Sequence, residues 1–403
     1  MIKEKIELKN KIFEKPYAVS EQKTDNAIKK ALAKIERNIE KFKDFRPEVE
    51  YIPGGKQLTQ YVQKEFLDSK QGEWLSGLYE GMYWLCYEFT GDKKFLDAAN
   101  HNLRYFVKRE QLKHDMFCHD TGFVFTPSLV ASYKVTGDKL SYETALDAAE
   151  YFYNNNYCQK GRFILRGDDG AKGVEPMCRT MMDTMLNIPL LFWAGKETGN
   201  PKYTDAAIAQ CETTRDYLLR ADGSSYHHYQ FDTKTFEPSF GLTYQGAGDE
   251  STWSRGHAWG IMGYPIAYAY TGIDEYISIH RDITYYFLNH LQSDFLPNWD
   301  FDCTKDSDQR DSSAAAIAVC GMLEMIKHLP EDSYQKKIYV NASARILESL
   351  IDTCTQYSED FDGLICKVCS GFASEKDIFA VYGDYPYLEA LMRYKNPDWK
   401  MYW

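Results

Sequence analysis

Two kinds of helix-length run alternate along the chain. Runs near 22–44, 93–108, 139–155, 201–219, 274–292 and 334–353 carry an apolar stripe opposite a polar face. Runs near 74–90, 121–136, 180–198, 252–271, 311–328 and 383–395 are apolar nearly all round. A helix apolar on every side is buried, and an amphipathic one covers it. The strict alternation predicts an all-α fold: six hairpins, each an outer helix followed by an inner one, closed into an (α/α)6 barrel. Their lengths are too irregular for a fixed-period solenoid. Residues 1–20 precede the first run and predict an N-terminal arm, leaving 21–403 as a single barrel domain.

A recurring mark supports the hairpins. FTGDKKFLDAA at 89, VTGDKLSYETALDAA at 135, ETGNPKYTDAA at 197 and YTGIDEYI at 270 each follow an apolar run and precede an amphipathic one. Glycine just past a helix end takes a positive φ without steric cost. The Asp or Asn after it, or Pro201 in the third copy, opens the next helix. Each mark therefore predicts a tight turn.

In a barrel of this order the inner helices run parallel. The long stretches leading into them gather at one mouth, with the short Thr-Gly turns at the other end. Function concentrates on long loops, and a ring of helix N-termini favours an anion. Six stretches lead in: GEWLSGLYEGMYW (72–84), CHDTGFVF (118–125), RTMMDTMLN (179–187), TYQGAGDESTWSRGHAWG (243–260), DQRDSSAAA (308–316) and VYGDYPY (381–387). They hold much of the Asp, Trp, Arg and Gln that falls outside polar surfaces, which is the signal of a site.

Within them, Thr180-x-x-Asp183 matches a capping box, and capping explains Asp183 as well as chemistry does. Asn187 follows one turn later on the same face, and Pro189 should bend the helix below. Apolar surroundings should raise the Asp183 pKa towards a usable acid. Asp120 reads equally as an N-cap or as the second member of a carboxylate pair, the usual equipment of glycoside cleavage. Arg255, early in an apolar helix, needs an anion. Asp120, Asp311 or a substrate carboxylate would serve. Trp253 and Trp259 read as core residues, with sugar stacking an equal reading for Trp259. His227 and His228 sit in a turn-rich hairpin, where a surface pair is the ordinary reading.

Composition narrows the classes. The net charge is -12 and the pI about 5.3, which argues against nucleic acid as the partner. No run approaches a membrane span, and MIKEKIELKN has no apolar signal region. The ten scattered cysteines then suggest reduced thiols and a cytoplasmic protein. HExxH is missing and Cys366-x-x-Cys369 lacks a second half, so no metal is expected. Neither a phosphate loop nor G-x-S-x-G occurs, and no cofactor is implied. The sequon Asn341-Ala342-Ser343 lies in a predicted helix and reads as chance.

Taken together, HDTGFVF, MMDTMLNIPLLFWA, QGAGDESTWSRGHAW, DSSAAAI and YGDYPYLEAL, in this order from about Trp74 to Leu391, resemble the unsaturated glucuronyl hydrolases, glycoside hydrolase family 88. The resemblance implies the same (α/α)6 barrel and a small oligosaccharide substrate made by polysaccharide lyases. Such enzymes remove its non-reducing-end 4,5-unsaturated uronic acid by hydrating the vinyl ether. It implies Asp183 as the general acid/base and Asp120 as the second essential carboxylate. His227 is implied as the active-site histidine, from its Tyr-His-x-x-x-Phe-Asp context. Gln245, Arg255, Trp259 and Trp74 look like sugar contacts, with Tyr385 also lining the site; Asn187 joins them as a substrate-contact candidate from its place on the Asp183 face. Ser374 and Lys376 resemble a Ser and Lys found in relatives that accept sulfated substrates. His257 and Tyr382 depart from the Gln and Trp often found in the family, and SGLYEG departs nearby, which bears on substrate preference. The alternatives are an unsaturated rhamnogalacturonyl hydrolase of family 105, on the same barrel, or a non-catalytic sugar-binding barrel. The HDTGFVF and DSSAAAI details favour the glucuronyl family. Oligomeric state has no sequence signal.

Overall fold

A computed structural model describes residues 5–48, 61–65, 74–167, 178–370 and 378–403. In chain order its helices are α1 (Glu21–Lys41), α2 (Leu75–Thr90), α3 (Lys93–Leu112), α4 (Thr121–Phe125), α5 (Ala131–Thr136), α6 (Lys139–Asn156), α7 (Pro189–Thr198), α8 (Pro201–Thr213), α9 (Ser254–Thr271), α10 (Glu275–Asn289), α11 (Ser312–Ile326), α12 (Tyr334–Thr353) and α13 (Val381–Lys395). A π-helical turn, Thr126–Val130, joins α4 to α5. Pro127 has no N–H to give the carbonyl four residues back, which opens the turn there.

The helices α2, α4–α5, α7, α9, α11 and α13 form the inner ring, buried over most of their length. Each packs on the next, and α13 packs back on α2, so the ring closes. The amphipathic α1, α3, α6, α8, α10 and α12 lie outside it. This is the expected (α/α)6 barrel. Small residues let inner helices meet backbone to backbone. A Cβ on Gly321 of α11 would sit 2.3 Å from the Ile261 carbonyl oxygen of α9.

The Thr-Gly marks are the turns predicted. Gly91, Gly137, Gly199 and Gly272 have φ of 66°, 74°, 67° and 67°, each capping an inner helix. The threonine has its own task. Thr90 Oγ1 donates to the Cys86 carbonyl and accepts from Asp92 N–H, and the pattern repeats at Thr136, Thr198 and Thr271. One hydroxyl thus satisfies a helix-end carbonyl and fixes the start of the next helix.

The stretch 180–198 is not the single helix expected. It divides into β5 of a small sheet, described next, a 3-10 turn Met182–Leu186, and α7 starting at Pro189. Pro189 does not bend a helix; lacking an N–H, it begins one. Two short antiparallel pairs precede this point: β1 (Phe45–Glu48) with β2 (Val62–Glu65), and β3 (Tyr157–Cys158) with β4 (Phe163–Ile164). The sheet at the mouth joins β5 (Arg179–Met181), β6 (His228–Phe231) and β7 (Pro238–Leu242), all antiparallel.

The described part of the leading segment lies across the outer helices. Phe13 is buried, Tyr17 N–H donates to Asn341 Oδ1 at 3.1 Å, and Asn341 Nδ2 donates to the Phe13 carbonyl at 2.9 Å. Asn341 is thereby buried and engaged, which agrees with the sequon being chance.

Candidate active site

Strand pairing sets the geometry of Asp183. Residues 179–181 pair with 228–230 in register, and Met182 N–H continues the ladder to the His227 carbonyl at 2.8 Å. Asp183 and His227 thus leave the sheet side by side, and His227 Nε2 lies 3.1 Å from Asp183 Oδ2. The capping reading of Asp183 falls away. Neither Thr180 nor Asp183 caps the turn, and the Thr180 hydroxyl bonds Gln210 Oε1 at 3.2 Å.

Asp120 precedes α4 but makes no side-chain cap either. Its Oδ1 lies 3.3 Å from His119 Nε2, and its Oδ2 accepts from the Cys118 thiol at 3.4 Å. The two carboxylates keep some exposure, 21% at Asp120 and 15% at Asp183, in otherwise buried surroundings. Asn187 ties their segments together. Its Nδ2 donates to the Asp183 carbonyl at 3.1 Å, and its Oδ1 accepts from Phe123 N–H at 2.7 Å. Gly122 lets the segments touch, because a Cβ there would fall 2.1 Å from the Asn187 carbonyl oxygen. Asn187 was expected against substrate. It is fully buried, and its amide is hydrogen-bonded to the backbone of Phe123 and Asp183.

Burial pushes the Asp183 carboxyl pKa up, but the charge and hydrogen bond of His227, with His119 behind them, outweigh this and hold it below the usual aspartate value. The expected rise is reversed, because an imidazole rather than aliphatic carbon meets the carboxyl oxygens. His228, by contrast, is buried with neither ring nitrogen hydrogen-bonded. Burial first, then the nearby His227, Arg179 and Arg166, keep it neutral.

The remaining expected contacts divide. Trp74 is half-buried and stacks on Tyr382 at 5.5 Å, 12° between planes. Trp259 is packed edge-on against Phe123 at 5.1 Å with little surface open. The Arg255 anion is Asp311, at 3.0 Å, with both residues buried. Arg255 also donates to the Cys369 carbonyl and, at 2.8 Å, to the Ser370 carbonyl, and Gln245 Nε2 reaches the same Ser370 oxygen at 3.2 Å. Both side chains therefore hold the chain just ahead of Ser374 and Lys376, which lie outside the described residues. Tyr385 sits deeper than expected. It is buried inside the ring, its ring edge-on to Trp403 at 5.9 Å. His257 does not face the site: its nitrogens meet Ser225 Oγ and the Ile283 carbonyl, each at 2.9 Å. That departure is a matter of core packing, whereas Tyr382 belongs to the aromatic wall.

Reading the sequence missed His119. A lone histidine before an Asp carries little signal, and only the fold shows that it faces one carboxylate and acts electrostatically on the other. Among the described residues one group could share a cation, Cys118, His119 and Asp120, with one donor atom each inside 4.8 Å. His119 Nδ1 lies 3.3 Å from the Arg166 carbonyl and Asp120 faces His119, so hydrogen bonds already account for the arrangement.

Two partly exposed carboxylates at a barrel mouth, each beside a histidine, are the equipment of a glycosidase. The family model for Glycosyl Hydrolase Family 88 matches residues 54–392. An unsaturated chondroitin disaccharide hydrolase of Streptococcus pneumoniae is 36% identical over 405 residues, 99% of this chain and 98% of that protein. The crystal structure of an unsaturated glucuronyl hydrolase from Streptococcus agalactiae superposes with a TM-score of 0.89 at 34% identity, covering 99% of both chains. A mutant of the S. agalactiae enzyme complexed with dGlcA-GalNAc6S gives 0.84 at 32% identity, again over 99% of both. The chain belongs to glycoside hydrolase family 88.

Proposed function

We propose that this glycosidase is an unsaturated glucuronyl hydrolase. It removes the 4,5-unsaturated glucuronic acid from the non-reducing end of lyase products, with glycosaminoglycan-derived disaccharides as its substrates. The observation that carries the reading is the Asp183–His227 pair beside Asp120 at the barrel mouth. The names of the relatives support the substrate class.

Asp183 protonates C4 of the vinyl ether, and positive charge develops at C5, shared with the ring oxygen. The Asp183 carboxylate then takes a proton from the water that adds to C5. The resulting hemiketal opens and releases the aglycone, so one water is consumed and the acid is regenerated. Asp120 binds ring hydroxyls and steadies the developing charge, while His227 orients Asp183. The substrate's own carboxylate adds negative charge beside Asp183. That favours the protonated acid once substrate is bound, although the free enzyme holds it ionised. Trp74 and Tyr382 form the apolar wall. Gln245 and Arg255 act through the Ser370 carbonyl, and Ser374 and Lys376 are our candidates for contact with a sulfated aglycone.

We place the reaction in the barrel 21–403 as one catalytic domain, with 1–20 as an arm, and the protein in the cytoplasm. In support, the cysteines from Cys86 to Cys354 are free thiols, and no described helix is long and apolar enough to cross a membrane. A panel of unsaturated disaccharides from chondroitin, hyaluronan, heparin and pectin, followed by loss of ultraviolet absorbance, tests the function. Glycosaminoglycan disaccharides should react fastest. Preference for the pectin product would favour the rhamnogalacturonyl alternative. Asp183→Asn should keep the wild-type circular dichroism and lose on the order of 10²–10⁴-fold in kcat.

A further inference from the structure

The end of the barrel opposite the mouth is entered by residues 397–403. They have no regular secondary structure, yet Trp399, Tyr402 and Trp403 are all buried. The segment is held from several sides. Lys134 Nζ donates to the carbonyls of Met401, Tyr402 and Trp403 at 3.3, 2.7 and 3.2 Å. Tyr270 donates to the Trp403 carbonyl at 3.0 Å and Lys327 to that of Trp399 at 2.8 Å. Trp399 Nε1 and the Tyr402 hydroxyl both reach Glu88, and Trp403 Nε1 reaches Glu389 at 3.0 Å. A cavity of about 960 Å³ opens beside the segment, and neither Asp120 nor Asp183 lines it.

Trp403 differs from its neighbours in what lies above it. Its ring, 1% exposed, meets Phe123 edge-on at 6.2 Å. Phe123 in turn touches Trp259 at 5.1 Å and Trp74 at 5.4 Å. Its N–H is the one that anchors Asn187, which holds the Asp183 carbonyl. Phe123 is therefore the floor on which the aromatic wall and the acid-bearing turn both rest. Trp403 packs beneath that floor. Interiors are close-packed, so removing a large ring lets the overlying group settle into the space. A displacement of about 1 Å at a catalytic group is enough to lower a rate steeply.

We propose that Trp403 is a positioning residue for the reaction, supporting Phe123 from the far end of the barrel and so fixing Asp183 against the substrate wall. This rests on the hydrolase reading for its kinetic assay. Trp399 provides the control, being an indole of the same segment, anchored to Glu88, whose ring contact is with Tyr402 at 5.2 Å rather than with Phe123.

The test compares Trp403→Ala, Trp403→Phe and Trp399→Ala in the full-length enzyme, assayed well below each melting temperature. Trp403→Ala should lower kcat tenfold or more, Trp403→Phe should recover most of it, and Trp399→Ala should lower Tm while keeping wild-type kcat and KM. Carboxyl carbon NMR of Asp183, assigned with Asp183→Asn, reads the same displacement without substrate. The signal should move in Trp403→Ala and stay in Trp399→Ala. Wild-type kcat and an unmoved Asp183 signal in Trp403→Ala overturn the proposal, as do equal losses in the two alanine variants. An enzyme inactive on every unsaturated disaccharide would instead remove the hydrolase reading, and the NMR comparison would still decide the role of Trp403.

Discussion

In the free enzyme Asp183 is ionised at neutral pH, because His227 and His119 overcome its burial. A donor of protons must be protonated when it acts, so the fraction of competent free enzyme falls as pH rises. The profile of kcat/KM reports the free enzyme and that of kcat the complex. The descending limb of kcat/KM should therefore lie at lower pH than that of kcat, where bound uronate has raised the acid. Coincident limbs would remove the substrate-assisted part of the mechanism. His227→Asn takes away the charge that lowers Asp183 and leaves the burial that raises it. The descending limb of kcat/KM should move to higher pH, and a limb that stays or moves down would show that His227 does not set this acid. Arg255 calls for a different expectation from the one its sequence context invites. With Asp311 as its buried partner, Arg255→Ala leaves a buried carboxylate unpaired, which costs about 3–5 kcal/mol. Urea unfolding should show that loss. Adding Asp311→Asn should restore part of it, and an additive double mutant would deny the pairing.

At the scale of elements, helices were legible and the small sheet was not. Apolar periodicity and four Thr-Gly turns located the helical stretches to within a few residues, because burial on one or all sides leaves a 3.6-residue pattern. The exception is 180–198, where the α-helix begins only at Pro189. The sheet β5–β6–β7 left no such trace. Its strands are three to five residues long, too short for alternation to stand out, and β5 lies in a run apolar enough to pass for the helix that follows it. That short pairing is what brings Asp183 and His227 together; the pattern placed Asp183 at the mouth, whereas His227 read as a surface hairpin residue and only the resemblance implied it for the site. His119 and the burial of Asn187 were hidden for the same reason, since each depends on contacts between segments distant in the chain. Gly122 tests this level directly. Gly122→Ala must push α4 away from the Asn187 backbone, and kcat should fall on the order of 10²-fold with the helix content unchanged by circular dichroism. Wild-type kcat would mean that the crossing of these two segments does not position the acids.

Across the whole molecule, the parallel inner helices divide the barrel into two ends with different tasks. The Thr-Gly end is built from hydroxyl-closed turns and the buried 397–403 segment, and it fixes the frame. The mouth collects helix N-termini, whose partial positive charge suits an anionic sugar, and the two carboxylates that would otherwise repel it. The central claim is that Asp183 delivers a proton to C4 of an unsaturated uronate, so that cleavage is a hydration. It is tested most directly by running the wild-type enzyme in deuterium oxide on an unsaturated chondroitin disaccharide and recording proton NMR at early times. The product should carry one solvent deuteron at C4 in a single configuration, and Asp183→Asn should form none of it. Release of the uronate with its C4–C5 double bond intact, or product formation by Asp183→Asn at the wild-type rate, would contradict the account.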